Sequence, residues 1–496
     1  MTLLVQKVVG FTLVSVMAIA ATTAHGSITD DQIRGRVLIQ AAAARIGGEE
    51  ALTELRGLHL LAAGDGFNGL QGAKASEAET EVKIGTNVLE ADFDFAGHRY
   101  RRKSVQTLPG GIELAALTCF QNGRLTTDYY KGHHSSVSSP PESTIADGLL
   151  RLVPALFLQR ALRNIQSATF AGEYREGDTS VAFVDVSVDA GNRVRAHISL
   201  ADYRLIAVES WAMDPLTGDD TAVYRFAGDR IVNGITFPSE VTVFRRGRPY
   251  LRLAIRDVKV NPTFQDSLFI APVEEPLQET FETKVLGNDT YEITGIDGGA
   301  FRVIFFDLGD GVAVFDAPES RSRSRAIVAE IHRQLGNKPI KYLVASHFHD
   351  DHIAGVGYYV DQGVQIVTVR ENASLIKKYA VANSRIRPDL EPSGNSPLFL
   401  FVDDAHLTLT GSNTKTLEVR KLPACPHAQN MLVAVVPAES LLVEADLFVE
   451  LAGPSEASRN LVEWLRRDDA PRIEWVVGPH LRKTSIRSLV DAISAS

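Results

Sequence analysis

Three imidazoles and two carboxylates fall within the six consecutive positions from His347 to His352, in the stretch Ser-His-Phe-His-Asp-Asp-His. Imidazole nitrogen and carboxylate oxygen are the donors Zn²⁺ prefers, and Mn²⁺ and Fe also accept them. His347 and His349, one residue apart on a loop, splay to one side of a turn. Asp351 and His352 follow at the start of a helix and face a neighbouring point. Four donors on one loop cannot close two metal sites, so further ligands must come from elsewhere. His427 precedes an apolar run, Asp446 ends one, and His480 ends another. Any one alone reads as a turn residue, a cap or a satisfied polar group. Three in order behind the cluster read as the rest of a donor set. Bound cations lower the pKa of water to near 7 and polarise a substrate oxygen, which is hydrolytic chemistry.

These donors need strands that end on one edge. Ile340 to Ala345 reads as a buried strand that stops where the cluster begins. Short strands at 291–296, 302–306 and 312–315 precede it, the last two joined by the tight turn Asp307-Leu308-Gly309-Asp310-Gly311. A helix at 322–335 follows, and strands alternate with helices to the C-terminus. Upstream the rhythm differs. Helical patterns at 29–47, 49–55 and 145–165 flank runs of period two, at 79–85, 88–95, 98–105 and 112–120, and again between 168 and 260. This predicts an α+β domain, an antiparallel sheet with helices, over residues 27–265. A linker at 266–282 and a second domain at 283–496 follow.

The pattern H-x-H-x-D-H after an apolar strand, with a later His, Asp and His, resembles the metallo-β-lactamase superfamily. The resemblance covers residues 283–496 and implies an αββα sandwich holding two divalent metal ions, Zn²⁺ first and Mn or Fe as alternatives. It implies His347, His349 and His427 on one metal and Asp351, His352 and His480 on the other. Asp446 would bridge them, with Asp316 supporting the site from behind. A metal-bridged hydroxide would attack an ester, lactone, thioester or phosphoester, and Asp351 would relay a proton beside His352. A β-lactam amide is the runner-up substrate. Three departures bar transfer of a substrate from any family member. The usual Gly-x-x-His-Thr is missing at His427, Glu444-Ala445-Asp446 replaces Gly-Asp, and Gly478-Pro479-His480-Leu481 replaces the frequent His-Gly.

The whole chain has 496 residues, a hydrophobic fraction of 45% and a net charge of −10, which fit a globular protein of two or three domains and no nucleic-acid partner. Residues 1–26 read as an export signal, with Lys7 before the apolar run 8–21 and small residues near a cleavage point. The expectation is therefore a periplasmic or secreted protein acting on a small molecule. Cys119 and Cys425 fall in different predicted domains and read as free thiols, Cys425 as a packing residue near His427. His133 and His134 read as solvated loop histidines. The N-terminal domain weakly resembles the half-barrels of exported lipoprotein carriers, which implies a sheet able to hold a lipid or acyl chain. The rival class is an exported ligand-binding protein whose metal domain is structural or vestigial. Nothing in the sequence sets the oligomeric state.

Overall fold

The computed structural model describes residues 28–129, 134–138, 151–189, 192–214, 216, 218–270, 280–296, 301–318, 320–382, 394–412, 415–422, 424–450 and 452–495. The expected leader (1–26) and His133 lie outside these residues. Among the described residues no helix is long and apolar enough to cross a membrane. Cys119 and Cys425 are both free and buried.

Thirteen strands of the N-terminal part form one antiparallel sheet. The chain enters at its middle with Gly57–Gly66 and meanders outward to the edge strand His134–Ser138. It then crosses to the opposite edge, Thr169–Glu176, and works back until Arg248–Val260 pairs with Gly57–Gly66, Leu58 opposite Val260. Helices Ile28–Arg45, Gly48–Thr53 and Pro154–Arg163 share one apolar core with this sheet, through Ile39, Leu52, Leu156 and Leu158. The helix expected at 145–165 is shorter and begins at Pro154, whose missing N–H is no loss in a first turn. Residues 139–150 lie outside the description.

One predicted strand is absent. Residues 79–84 alternate in polarity but belong to an excursion between Gly57–Gly66 and Gly85–Asp94 that leaves the sheet. Its apolar residues face another core: Leu70 and Ala78 are buried among side chains of the C-terminal half. Within the alternating stretch itself Val82 is exposed and Ile84 packs beside Leu108, Ile112 and Val449, so the alternation does not mark the two faces of a paired strand.

The C-terminal half has two sheets. The first orders Glu282–Val285, Thr290–Ile296, Phe301–Asp307, Val312–Phe315, Ile340–Val344, Gln365–Thr368 and Leu398–Phe401, antiparallel for the first three pairings and parallel for the rest. The second orders His406–Thr410, Thr416–Leu422, Met431–Val436, Leu441–Val443, Trp475–Gly478 and Leu481–Ser485. Met431–Val436 is buried at every position, as a strand covered on both faces must be. Both sheets contribute to one core, with Phe305, Val314 and Ile366 from the first and Val433, Leu442 and Val476 from the second.

Helices Arg321–Leu335, Val356–Asp361 and Arg370–Ala380 pack together, as do Glu456–Leu465 and Ile486–Ser494. Arg321 ties the first group: its guanidinium pairs with Asp361 and donates to the Ala380 carbonyl. A side chain at Gly357 would strike that guanidinium, so the glycine makes room for it. This locks the helices behind the histidine loop.

Candidate metal centre

The donors arrive on strand ends that backbone bonds hold together. The loop after Ile340–Val344 carries His347 and His349, and the four-residue helix Asp350–Ile353 carries Asp351 and His352. Ser346 O accepts from Leu432 N at 2.7 Å, joining this loop to the second sheet beside His427. Pro479 O accepts from Arg302 N at 2.9 Å, which pins the His480 turn to the first sheet. Asp446 follows Leu441–Val443. Asp316 and Asp446 both have left-handed backbones, φ 65° and 57°. Aspartate tolerates that region better than most residues, and such strain collects at functional sites.

The structure brings all seven predicted donors into two adjoining groups. His347, His349, His427 and Asp446 form one, and Asp351, His352, Asp446 and His480 the other; within each, donor atoms lie within 4.8 Å of one another. Asp446 belongs to both. Its Oδ2 is 3.1 Å from His427 Nε2 and 3.2 Å from His352 Nε2, and its Oδ1 is 3.5 Å from His480 Nε2.

The outward ring nitrogens are anchored. His347 Nδ1 lies 2.9 Å from Ser346 Oγ, which donates to Asp316 Oδ2 at 2.9 Å. His352 Nδ1 donates to the same Asp316 oxygen at 2.8 Å. His349 Nε2 donates to Gly72 O at 2.8 Å, and His427 Nδ1 to Pro109 O at 3.3 Å. Asp316 therefore stands behind the donors. The inward atoms are different. His347 Nε2, His349 Nδ1, His427 Nε2 and Asp446 Oδ1 are buried and make no well-formed hydrogen bond. Each such group costs about 1–3 kcal/mol. Anchoring one ring nitrogen as N–H leaves the other a lone pair, the form a metal ligand needs. The residues fit a divalent cation.

Electrostatics agree. Burial, then the neighbouring His352 and His349, hold His347 well below the usual imidazole range. Burial and His427 push His349 down to about 3. Burial opposes charge on Asp446 and Asp351, but the surrounding histidines outweigh it and hold both carboxyls well below their ordinary values. Burial also opposes charge on His352, yet Asp446, Asp351 and Asp316 together hold its pKa well above the ordinary value. A cation bound there would oppose a second proton on His352, so ion binding and protonation of that ring compete.

A third cluster, His59, Glu90 and Asp92, has metal-like spacing in the large sheet. Arg101 already bonds both carboxylates, at 3.1 and 2.8 Å, so this is an ion-pair network. Gln71, Gly72 and Pro109 touch the donors or their neighbours and carry no sequence signal: two act through carbonyls, and all lie far upstream.

Residues 302–427 match the family model described as the metallo-beta-lactamase superfamily. The C-terminal half is a metallo-β-lactamase superfamily domain. The match ends at His427, so Asp446 and His480 join the site by geometry alone. Over 53 residues the chain is 43% identical to the linear primary-alkylsulfatase of Pseudomonas sp. (strain ATCC 19151), an alignment covering 11% of this chain and 10% of that protein. A metallo-beta-lactamase from Pontibacter korlensis is 18% identical, covering 43% of this chain and 98% of its own, with a TM-score of 0.34. The DIM-1 metallo-beta-lactamase is 16% identical, covering 43% and 95%, with a TM-score of 0.33.

Proposed function

We propose that this metallo-β-lactamase domain is a dinuclear metal-dependent hydrolase of small esters. The observation that carries the reading is Asp446, shared between two donor groups, with His347 Nε2, His349 Nδ1 and His427 Nε2 of the first group buried and making no well-formed hydrogen bond. His347, His349 and His427 would hold one divalent cation and Asp351, His352 and His480 the other, with Asp446 within reach of both. The donor chemistry favours Zn²⁺, with Mn²⁺ or Fe²⁺ as substitutes. When bound, the pair would activate water near neutral pH and polarise the scissile group.

The chain's own residues do the rest. The first group is closed off, its histidine side chains at most 1% exposed, whereas the side chains of Asp351 and His480 are 38% and 18% exposed. Substrate therefore approaches from the second group, past Asp351 and His480. The substrate class is an ester, lactone, thioester or phosphoester, and sulfate esters and β-lactams complete the panel. We place the protein outside the cytoplasm on the strength of residues 1–26.

Elemental analysis of the purified protein tests the reading, alongside His349→Ala. About two metals per chain, falling sharply in the variant, with hydrolysis of at least one panel member, supports it. An empty protein after supply of Zn²⁺, Mn²⁺ and Fe²⁺ overturns it and leaves the ligand-binding alternative.

A further inference from the structure

The donors sit in the C-terminal half, yet atoms that hold them come from the other end of the chain. Between Gly57–Gly66 and Gly85–Asp94 the excursion reaches the histidine loop. Gln71 Nε2 donates to Asp351 Oδ1 at 2.8 Å and also to Asp350 Oδ1. Gly72 O accepts from His349 Nε2, and Ala73 O accepts from Gln429 N at 2.7 Å, two residues past His427. A second turn, Pro109–Gly111, brings Pro109 O to His427.

The excursion is well held. Leu70 and Ala78 are buried in the C-terminal core, and Glu79 pairs with Lys378 and accepts from Tyr379 Oη at 2.9 Å. The two oxygens of Asp351 are divided in consequence. Oδ1 faces Gln71, while Oδ2 faces His352 and His480 at 3.4 and 3.5 Å. A carboxylate free to rotate would offer either oxygen; this one presents Oδ2 inward.

We propose that the N-terminal excursion is an outer part of the metal centre, with Gln71 a positioning residue that fixes Asp351 for the second cation. This rests on the dinuclear reading above. Ion binding to the second group thus depends on a segment some 280 residues away by sequence, 277 between Gly72 and His349.

The rival role for Gln71 is adhesive, joining the two halves with no effect on ion binding. Titration of metal-free protein with Zn²⁺, and with Co²⁺ as a spectroscopic probe, separates them in wild type, Gln71→Ala and Gln71→Met. Methionine keeps the length and removes the donor. The expected result is two ions in wild type and, in both variants, about 10- to 100-fold weaker binding of the second ion. The first ion should bind nearly as before, and the unfolding midpoint of metal-free Gln71→Met should match wild type. Two ions bound with wild-type affinity in both variants overturns the proposal, whatever happens to the midpoint. A wild type that takes no ion overturns the dinuclear reading itself, and shows it without any variant.

Discussion

Ser346 carries no charge and belongs to neither ligand group, yet it joins His347, Asp316 and the second sheet. Ser346→Ala removes one anchor from His347 and one bond from Asp316, leaving the backbone N–H to Asp316 Oδ1 in place. Metal affinity should fall about 10- to 100-fold with the fold intact, read by equilibrium dialysis beside circular dichroism. Unchanged affinity would mean that His347 is oriented by packing alone. Far from this centre, His59 Nδ1 lies 2.7 Å from Asp92 Oδ1, and that bond outweighs burial to raise the His59 pKa. A raised folded pKa contributes stability that is fully present below the unfolded value, near 6.5, and is lost as pH rises through the folded value. The Tm gap between wild type and His59→Gln should therefore be widest near pH 5.5 and narrow toward pH 9. A gap that widens with pH contradicts this. At this scale the seven donors were legible because their chemistry is written in side chains. Gly72 and Pro109 were not, because a carbonyl oxygen belongs to every residue.

Strands ending on one edge were legible as apolar runs, and the histidine loop and the Asp307–Gly311 turn fall where those runs stop. The misread element is instructive. Residues 79–85 alternate as a strand would, but Glu79 serves an ion pair across the halves, Val82 is exposed and Ile84 packs beside Leu108, Ile112 and Val449, so the period has unrelated causes. The Pro109–Gly111 turn shows a similar demand. Gly110 has φ +80°, and a Cβ there would meet the His427 backbone at 3.2 Å. Gly110→Ala should cost about 1–3 kcal/mol and loosen ion binding at the first group, measured by denaturant unfolding and Zn²⁺ titration. A control lies in helix Ile486–Ser494, where the Ser485 side chain accepts from Ser488 N at 3.0 Å. Ser485→Ala should cost about 0.5–2 kcal/mol with metal content unchanged. Loss of metal there would show that the site answers to general loosening.

The whole molecule is two architectures, each with its own core, and the N-terminal excursion crosses into the C-terminal one. Leu70 is covalently part of the large-sheet half and energetically part of the other. Leu70→Ala should cost about 2–5 kcal/mol, and it should lower the unfolding midpoint of the metallo-β-lactamase domain. Calorimetry checks this: a loss confined to a separate N-terminal transition would show that the excursion is only draped over its neighbour. Sequence rhythm marked the change between the halves near residue 282 but could not show that the chain crosses back, since one buried leucine and one alanine leave no pattern.

The excursion also imposes a schedule. Residues 67–84 leave the ribosome long before the histidine loop they grip. Translation at about 5–20 residues per second makes the wait on the order of 15–55 s. The large sheet is likewise open in the middle until Arg248–Val260 arrives to pair with Gly57–Gly66. Through that interval Leu70 and Ala78 are exposed apolar surface with no mate. The nascent chain must be shielded or kept from its neighbours until its own second half is made.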